Sequence, residues 1–363
     1  MLLPKRLKDK LDERKENNSF RSLRIRGEGV DFFSNDYLGL ANKEYEGHGA
    51  HGATGSRLIS GHHSITEDLE LVLARFFEAP SALLFNSGYD ANLGFFSSVP
   101  QRGDTILYDS FIHASIRDGI RLSFAQAVRF DHNDLSDLKE KLSKATGTIY
   151  VAVESIYSMD GDHAPLEEIA ALCETYNAFL FVDEAHAAGI FGDSGKGLVH
   201  EKGLTAKVFA RLVTFGKAFG SHGATILGGS DLREYLINYS RSLIYTTALP
   251  PQSQKRILWS IQTVSNADDE REILKSNIAF FRKNASLYKI PILSSQSSIQ
   301  GVLVPGNKVA SALAKRLIDK GFEVKAILSP TVPKGGERIR ICIHAFNTEK
   351  ELLDLIKEIS QLI

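Results

Sequence analysis

Asp183 and His186 stand three residues apart at the end of an apolar run, AFLFVDEAHAAGIFG (178–192), and Lys217 follows in TFGKAFGSHG (214–223), flanked by glycines, with Thr214 three residues before it. The tetrapeptide DEAH is also the box with which helicases hold Mg²⁺ and drive nucleotide hydrolysis. Such a motor needs a phosphate loop of the form G-x-x-x-x-G-K-[ST] ahead of the box. The nearest stretches, GDSGKGL and FGKAFG, have other spacings and both follow it. Asp183, His186 and Lys217 therefore point to a different chemistry.

A lysine between VTF and AFG sits in a stretch with little charge. Most lysines are plain surface cations, but partial burial here would lower the amine pKa and leave a nucleophile that forms a Schiff base with an aldehyde. Pyridoxal phosphate supplies that aldehyde and asks a protein for four things: a lysine, a carboxylate for the pyridine nitrogen, phosphate donors and a flat group against the ring. Lys217 and Asp183 meet the first two demands. An opposite charge about 4 Å away, at an effective dielectric near 20, is worth roughly 4 kcal/mol, or about three pKa units. Ser87, Gly88 and Tyr89 open a helix directly after a strand, so free amides and the helix dipole can hold a phosphate, with the Thr214 hydroxyl on the other side. His113, heading the helix HASIRDG, can stack on the ring, and His186 can hydrogen-bond its phenolic oxygen. Taken singly, either histidine is more often exposed or locally satisfied. The joint order of glycine turn, His, Asp-x-x-His and Thr-x-x-Lys carries the reading. No metal site is expected.

These groups need a scaffold that gathers them. Short β-rich runs (SALLFNSG, DTILYDS, GTIYVAVES, AFLFVDE, LVTFGK, ATILGG) alternate with helical stretches (HASIRDGIRLS, DLSDLKEKLSKA, PLEEIAALCETYN). That alternation predicts an α/β fold, a large domain with a mainly parallel sheet and helices on both faces, and ligands gather beyond the carboxyl ends of such strands. Residues 1–20 read as a charged helix, and GVDFFSNDYLGL as a strand running into a loop. From Pro250 the texture becomes a long polar helix, then IQGVLVPG, NKVASALAKRLIDKG, GFEVKAIL, ERIRICIH and a last helix, a smaller α+β C-terminal domain. The expected division is an N-terminal segment 1–45 packing with the small domain, a large domain 46–245 and the small domain 246–363.

Composition excludes other classes. With 43 Lys+Arg against 44 Asp+Glu, the net charge of −1 offers no global field for nucleic acid or an anionic membrane. No run approaches the roughly 20 apolar residues that span a bilayer. Two cysteines, Cys173 and Cys342, make no disulfide framework, and the first residues lack the apolar core of a signal peptide, so a reducing cytoplasm is expected.

At this point the motifs SNDYLGL (34–40), GSRLISG (55–61), LLFNSGYDAN (83–92), DSFIHAS (109–115), VESIYSMDGDHAPL (153–166), VDEAHAAGIFGDSGKG (182–197), TFGKAFGSHGA (214–224), LIYTTALPP (243–251) and PTVPKGGERIRI (330–341) run in order over nearly the whole chain. Together they resemble the α-oxoamine synthases, a family of fold-type I pyridoxal-phosphate enzymes that join an amino acid to an acyl thioester with loss of CO₂. The resemblance implies that Lys217 is the Schiff-base lysine, Asp183 the ring-nitrogen partner, His113 the stacking residue and His186 the phenolate partner, with Ser158 near the same oxygen. It further implies that Gly88, Tyr89 and Thr214 hold the phosphate, that Thr246 and Thr247 reach the phosphate of the other subunit of a homodimer, and that Asn35 and Arg340 bind the substrate carboxylate. Arginine offers a planar two-pronged donor for that role; the plain alternative is an outward-facing strand charge beside Arg338. SPTVPKG and IYTTALPP look most like the branch that condenses L-alanine with a pimeloyl thioester, on coenzyme A or a carrier protein, to make 8-amino-7-oxononanoate for biotin. The ligase that joins glycine and acetyl-CoA, or another α-oxoamine synthase, stays open as an alternative. Thr66, His344, Asn347 and a short segment at 41–53 depart from the family pattern near the presumed substrate region and leave the cofactor set intact.

Overall fold

The computed structural model describes residues 3–362. The chain divides into two compact units. The larger takes Leu38–Tyr157 and His163–Asp269; the smaller takes the chain up to Tyr37, the short stretch Ser158–Asp162 and the chain from Glu270. The strands, in chain order, are β1 (Val30–Asp31), β2 (Ser81–Phe85), β3 (Thr105–Asp109), β4 (Gln126–Phe130), β5 (Ile149–Glu154), β6 (Phe179–Asp183), β7 (Ala210–Thr214), β8 (Ala224–Gly228), β9 (Ile299–Leu303), β10 (Phe322–Glu323), β11 (Lys325–Ile327) and β12 (Arg338–Cys342).

In the larger unit seven strands form one sheet in the order β2-β8-β7-β6-β5-β3-β4. Only β8 runs against its neighbours; every other adjacent pair is parallel. The reason lies in connection length. A parallel return needs a crossover of about a dozen residues or more, whereas the Phe215–Gly223 link between β7 and β8 is too short for one and makes a hairpin instead. Both faces of the sheet are covered, as successive residues of β5 demonstrate: Tyr150 and Ala152 pack with Phe95, Phe96 and Ile116, while Val151 and Val153 pack with Leu138, Leu142 and Ile169. Strand β4 has no counterpart among the expected β-runs. Its sequence, QAVRF, is mostly exposed at the sheet edge, and a charged, polar edge strand carries little hydrophobic signal.

Glu184, inside the DEAH tetrapeptide, has a packing task. It is fully buried against Arg211, whose Nε donates to Glu184 Oε2 at 2.7 Å, and Glu184 Oε1 accepts the Val199 amide at 2.9 Å. Arg211 also donates to the carbonyls of Phe77 and Lys196. A buried ion pair is tolerated when hydrogen bonds satisfy both charges, and this one pins the glycine-rich turn after β6 to β7.

The smaller unit holds the antiparallel sheet β11-β12-β9 and the short parallel pair β1-β10. Its central strand, β12, is buried along its whole length. The strand expected from GVDFFSNDYLGL shrinks to two residues because the Asp31 carboxylate accepts the amides of Phe33 and Ser34 at 3.0 and 2.9 Å and turns the chain. The long polar helix expected after Pro250 is two helices, Pro251–Ser265 and Asp268–Leu287, interrupted at Asn266, which caps the first. The first packs in the larger unit against the helix Ser64–Phe76. Ser158–Asp162 joins the smaller unit through three ties: Arg340 Nε donates to the Ser158 carbonyl at 2.8 Å, Ser295 Oγ to the Gly161 carbonyl at 2.8 Å, and Arg338 pairs with Asp160. No described helix is long and apolar enough to cross a membrane.

Candidate active site

The carboxyl ends of the parallel strands converge on a cavity of about 200 Å³ in the larger unit. Gly88 and Tyr89 follow β2, His113 follows β3, Glu154 ends β5, Asp183 ends β6, and Thr214 ends β7 with Lys217 just beyond it. Strands that point the same way bring their last residues to one edge, so motifs far apart in sequence meet there.

Lys217 is half-buried, and its Nζ lies 3.0 Å from His186 Nε2. Asp183 is 5 % exposed, with both oxygens engaged: Oδ1 accepts the Ala185 amide at 2.9 Å and Oδ2 accepts Asn92 Nδ2 at 2.9 Å. His113 caps the helix Ala114–Leu122, its Nδ1 accepting the Ser115 amide at 3.2 Å and lying 2.7 Å from Ser115 Oγ. His113 is exposed in the single chain. The protein packed around it lowers the His113 pKa by desolvation, which the nearby Asp183 carboxylate partly opposes and the Lys217 ammonium reinforces.

Ser87 caps the helix Gly88–Ser98 by accepting the Asp90 amide, which leaves the Gly88 and Tyr89 amides at the start of the helix facing outward. A Cβ added at Gly88 would stand 3.6 Å from Thr214 Cβ and 3.8 Å from Thr214 Oγ1, so glycine keeps open the space between the helix start and Thr214. Tyr89 contributes its backbone at this point, since its hydroxyl is bonded to Asp118. The buried Oδ1 of Asn92, also on the cavity wall, takes no donor among the described residues. An amine, a carboxylate, two imidazoles, outward amides at a helix start and a threonine hydroxyl form the donor set that pyridoxal phosphate requires. No group of three or more metal-binding side chains occurs among the described residues.

Thr246 and Thr247 do not line this cavity. Asn86 Nδ2 donates to Thr246 Oγ1 at 3.3 Å and to the Thr247 carbonyl at 2.7 Å, and Thr247 is exposed. The smaller unit gathers Asn35, Ser158 and Arg340. Arg340 is 7 % exposed, and its guanidinium donates to the Ser158 carbonyl at 2.8 Å, to Asn35 Oδ1 at 3.0 Å and to Cys342 Sγ at 3.0 Å. Tyr37 OH donates to the same Asn35 oxygen at 3.1 Å, and burial raises its phenol pKa well above the usual value. Arg340 is therefore an inward, multiply bonded cation, and the outward-facing alternative does not hold.

Of the departures singled out in the sequence, His344 and Asn347 are internal braces. Asn347 Oδ1 accepts the His344 amide at 2.9 Å, His344 Nε2 lies 3.1 Å from the Ser34 carbonyl, and Asn347 Nδ2 donates to the Asp31 carbonyl at 3.2 Å. They fix the turn that carries Asn35. Thr66 is buried and donates to Gln254 Oε1 at 2.8 Å, joining two helices. Sequence reasoning missed Asn92, Ser115 and Glu154 as cavity residues. Two signals were available: Asn92 follows Gly88 by one helical turn on the same face, and Glu154 ends its strand in VES as Asp183 does in VDE, the two being register partners in the sheet.

The family model for aminotransferase class I and II matches residues 28–359. The chain is 39% identical to an 8-amino-7-oxononanoate synthase from Emericella nidulans over 98% of its own length and 96% of that protein. Among solved structures it resembles Sphingomonas wittichii serine palmitoyltransferase, at 29% identity and a TM-score of 0.87 over 92% of this chain and 87% of that one. It also resembles the 8-amino-7-oxononanoate synthase of Francisella tularensis, at 30% identity and a TM-score of 0.79 over 92% and 97%. A full-length match of this kind, on a fold whose strand ends bring a lysine, an aspartate and two histidines into one cavity, means that the chain belongs to the aminotransferase class I and II family, on the branch of the α-oxoamine synthases.

Proposed function

We propose that this chain is a pyridoxal-phosphate-dependent acyltransferase that condenses L-alanine with a pimeloyl thioester, carried by coenzyme A or by an acyl carrier protein, and releases CO₂ and the free thiol to give 8-amino-7-oxononanoate. The observation that supports the chemistry is the cavity in which Lys217, Asp183, His113 and His186 meet; the names of the full-length relatives support the substrates. When bound, the cofactor supplies an aldehyde carbon that an amine attacks and a protonated pyridine ring that withdraws electrons.

The residues then divide the work. Lys217 Nζ would hold the cofactor through its aldehyde, and the same amine would move the proton at the substrate Cα. Asp183, its oxygens fixed by Asn92 and Ala185, keeps a negative charge against the ring nitrogen. His186, 3.0 Å from the lysine amine, would partner the phenolic oxygen. Outward amides at Gly88 and Tyr89 and the Thr214 hydroxyl hold the phosphate. Because desolvation depresses its pKa, His113 is neutral near pH 7, and the nitrogen opposite Nδ1 donates a hydrogen bond to the thioester oxygen as charge develops there. Arg340, beside Asn35, binds the substrate carboxylate. The working form is a homodimer in which Thr246 and Thr247 of one subunit reach the phosphate held by the other.

The test is a panel of alanine, glycine and serine against pimeloyl-, acetyl- and palmitoyl-CoA, following thiol release. Alanine with pimeloyl-CoA is expected to give the highest kcat/KM. A preference for glycine with acetyl-CoA would move the chain to the alternative branch.

A further inference from the structure

The hydrogen bonds around Asp183 do not stop at the carboxylate. Asn92 carries two hydrogens on Nδ2; one goes to Asp183 Oδ2 at 2.9 Å and the other to Ser115 Oγ at 3.0 Å. Because His113 Nδ1 accepts the Ser115 amide, its 2.7 Å contact with Ser115 Oγ, which itself accepts from Asn92, runs from the hydroxyl to the ring. Asn92 and Ser115 are 1 % and 0 % exposed, so both bonds lie away from bulk solvent. An imidazole whose Nδ1 accepts two hydrogen bonds must, when neutral, carry its proton on Nε2.

We propose that Asn92 is a positioning residue that sets both polar groups of the cavity at once: directly, the orientation of the Asp183 carboxylate, and through the Ser115 hydroxyl, the tautomer of His113. The physical basis is the fixed geometry of one planar amide. Its two N–H bonds diverge at a set angle, so the carboxylate and the serine hydroxyl cannot turn independently of each other. An aspartate side chain has the same shape but no such donors. The consequence for turnover rests on the proposed cofactor chemistry; the tautomer belongs to this chain alone.

The experiment therefore has two arms. In the first, the full chain without cofactor is labelled with ¹⁵N in its imidazoles, and His113 is assigned with a His113→Asn variant. The parent is expected to give an Nε2-protonated ring near neutral pH. In Asn92→Ala and in Ser115→Ala the Nδ1-protonated share is expected to rise by roughly threefold to tenfold, the equivalent of one lost net hydrogen bond. Ser115→Ala removes only an oxygen and keeps the question answerable if Asn92→Ala does not fold. An unchanged tautomer ratio in the variants that fold overturns the proposal, as does an Nδ1-protonated ring in the parent.

In the second arm the proteins are loaded with pyridoxal phosphate. Asn92→Asp is expected to keep a cofactor that borohydride fixes to Lys217, while kcat falls by about tenfold to a hundredfold and the KM for the amino acid changes far less. Equal losses in kcat and cofactor retention, with an unmoved pH profile of the visible absorbance, would mark Asn92 as a structural residue and overturn the proposal. If the tautomer shifts as expected but the parent takes up no cofactor, the positioning stands and the proposed function falls.

Discussion

The cavity of the larger unit and the arginine cluster of the smaller unit are both polar, largely buried and built from residues far apart in sequence, yet they are assembled differently. In the larger unit each functional group stands at or just past the carboxyl end of its own strand. Parallel strands supply the convergence, and each local motif needs only to deliver one or two side chains. In the smaller unit Arg340 lies inside β12, and its partners arrive from a turn after β1, from Ser158 and from the next inward position of its own strand, Cys342. The first arrangement tolerates change in any one connection. The second depends on long-range register, with His344 and Asn347 bracing the turn that presents Asn35. In the proposed function the first holds the cofactor and the second selects the substrate, so variants in the two regions should fail in different ways.

The largest separation is expected from Lys217→Ala. Loss of both the bonding amine and the proton acceptor should reduce turnover by more than about 10⁴-fold, and borohydride should fix no cofactor to the chain; a trapped cofactor in that variant refutes the assignment. Asp183→Asn comes next. Removing a charge worth roughly 4 kcal/mol should lower kcat by about a thousandfold while the cofactor still binds, and undiminished Cα proton exchange with alanine would show that the carboxylate does not sustain the ring. Both changes belong to the first region and should leave substrate affinity nearly untouched.

Arg340→Lys probes the second region. A point charge replaces a two-pronged planar donor, so the KM for the amino acid is expected to rise by roughly tenfold to a hundredfold, with the visible spectrum of the bound cofactor unchanged. If the spectrum is lost as well, the two regions are not separable and the comparison breaks. The smallest effect should come from His344→Gln. Burial depresses the His344 pKa, opposed by Asp31, by Asp36 and by its bonds to Ser34 and Asn347. An unfolded imidazole titrates near about pH 6.5. Below that value the unfolded chain takes up a proton that the folded chain refuses, so stability present above it declines as pH falls. The variant should lose Tm less steeply between about pH 7 and pH 5 than the parent, a difference of roughly a few degrees; parallel Tm curves would remove His344 from the pH response.

The two regions were also unequally legible in the sequence. Asp183, His186, Lys217, His113 and the Ser87-Gly88-Tyr89 turn could be found because each closes an apolar strand or opens a helix, and such boundaries are local. Asn92 was harder, since its role depends on which strand end its helix face meets. Strand β4 escaped because an exposed edge strand has neither apolar alternation nor an apolar run. The sequence after Pro250 reads as one long helix because nothing but Asn266 and Ala267 marks the break.

Local sequence determined most of the order of strands and helices, the glycine turn that opens a helix after β2, and the family, because these depend on residues near one another in the chain. Tertiary structure alone decided that β8 is inserted against its neighbours, that Glu184 neutralises Arg211 instead of acting on a ligand, and that Arg340 faces Asn35, Ser158 and Cys342 instead of solvent. Those outcomes depend on register and burial, quantities that arise only when distant segments compete for the same space.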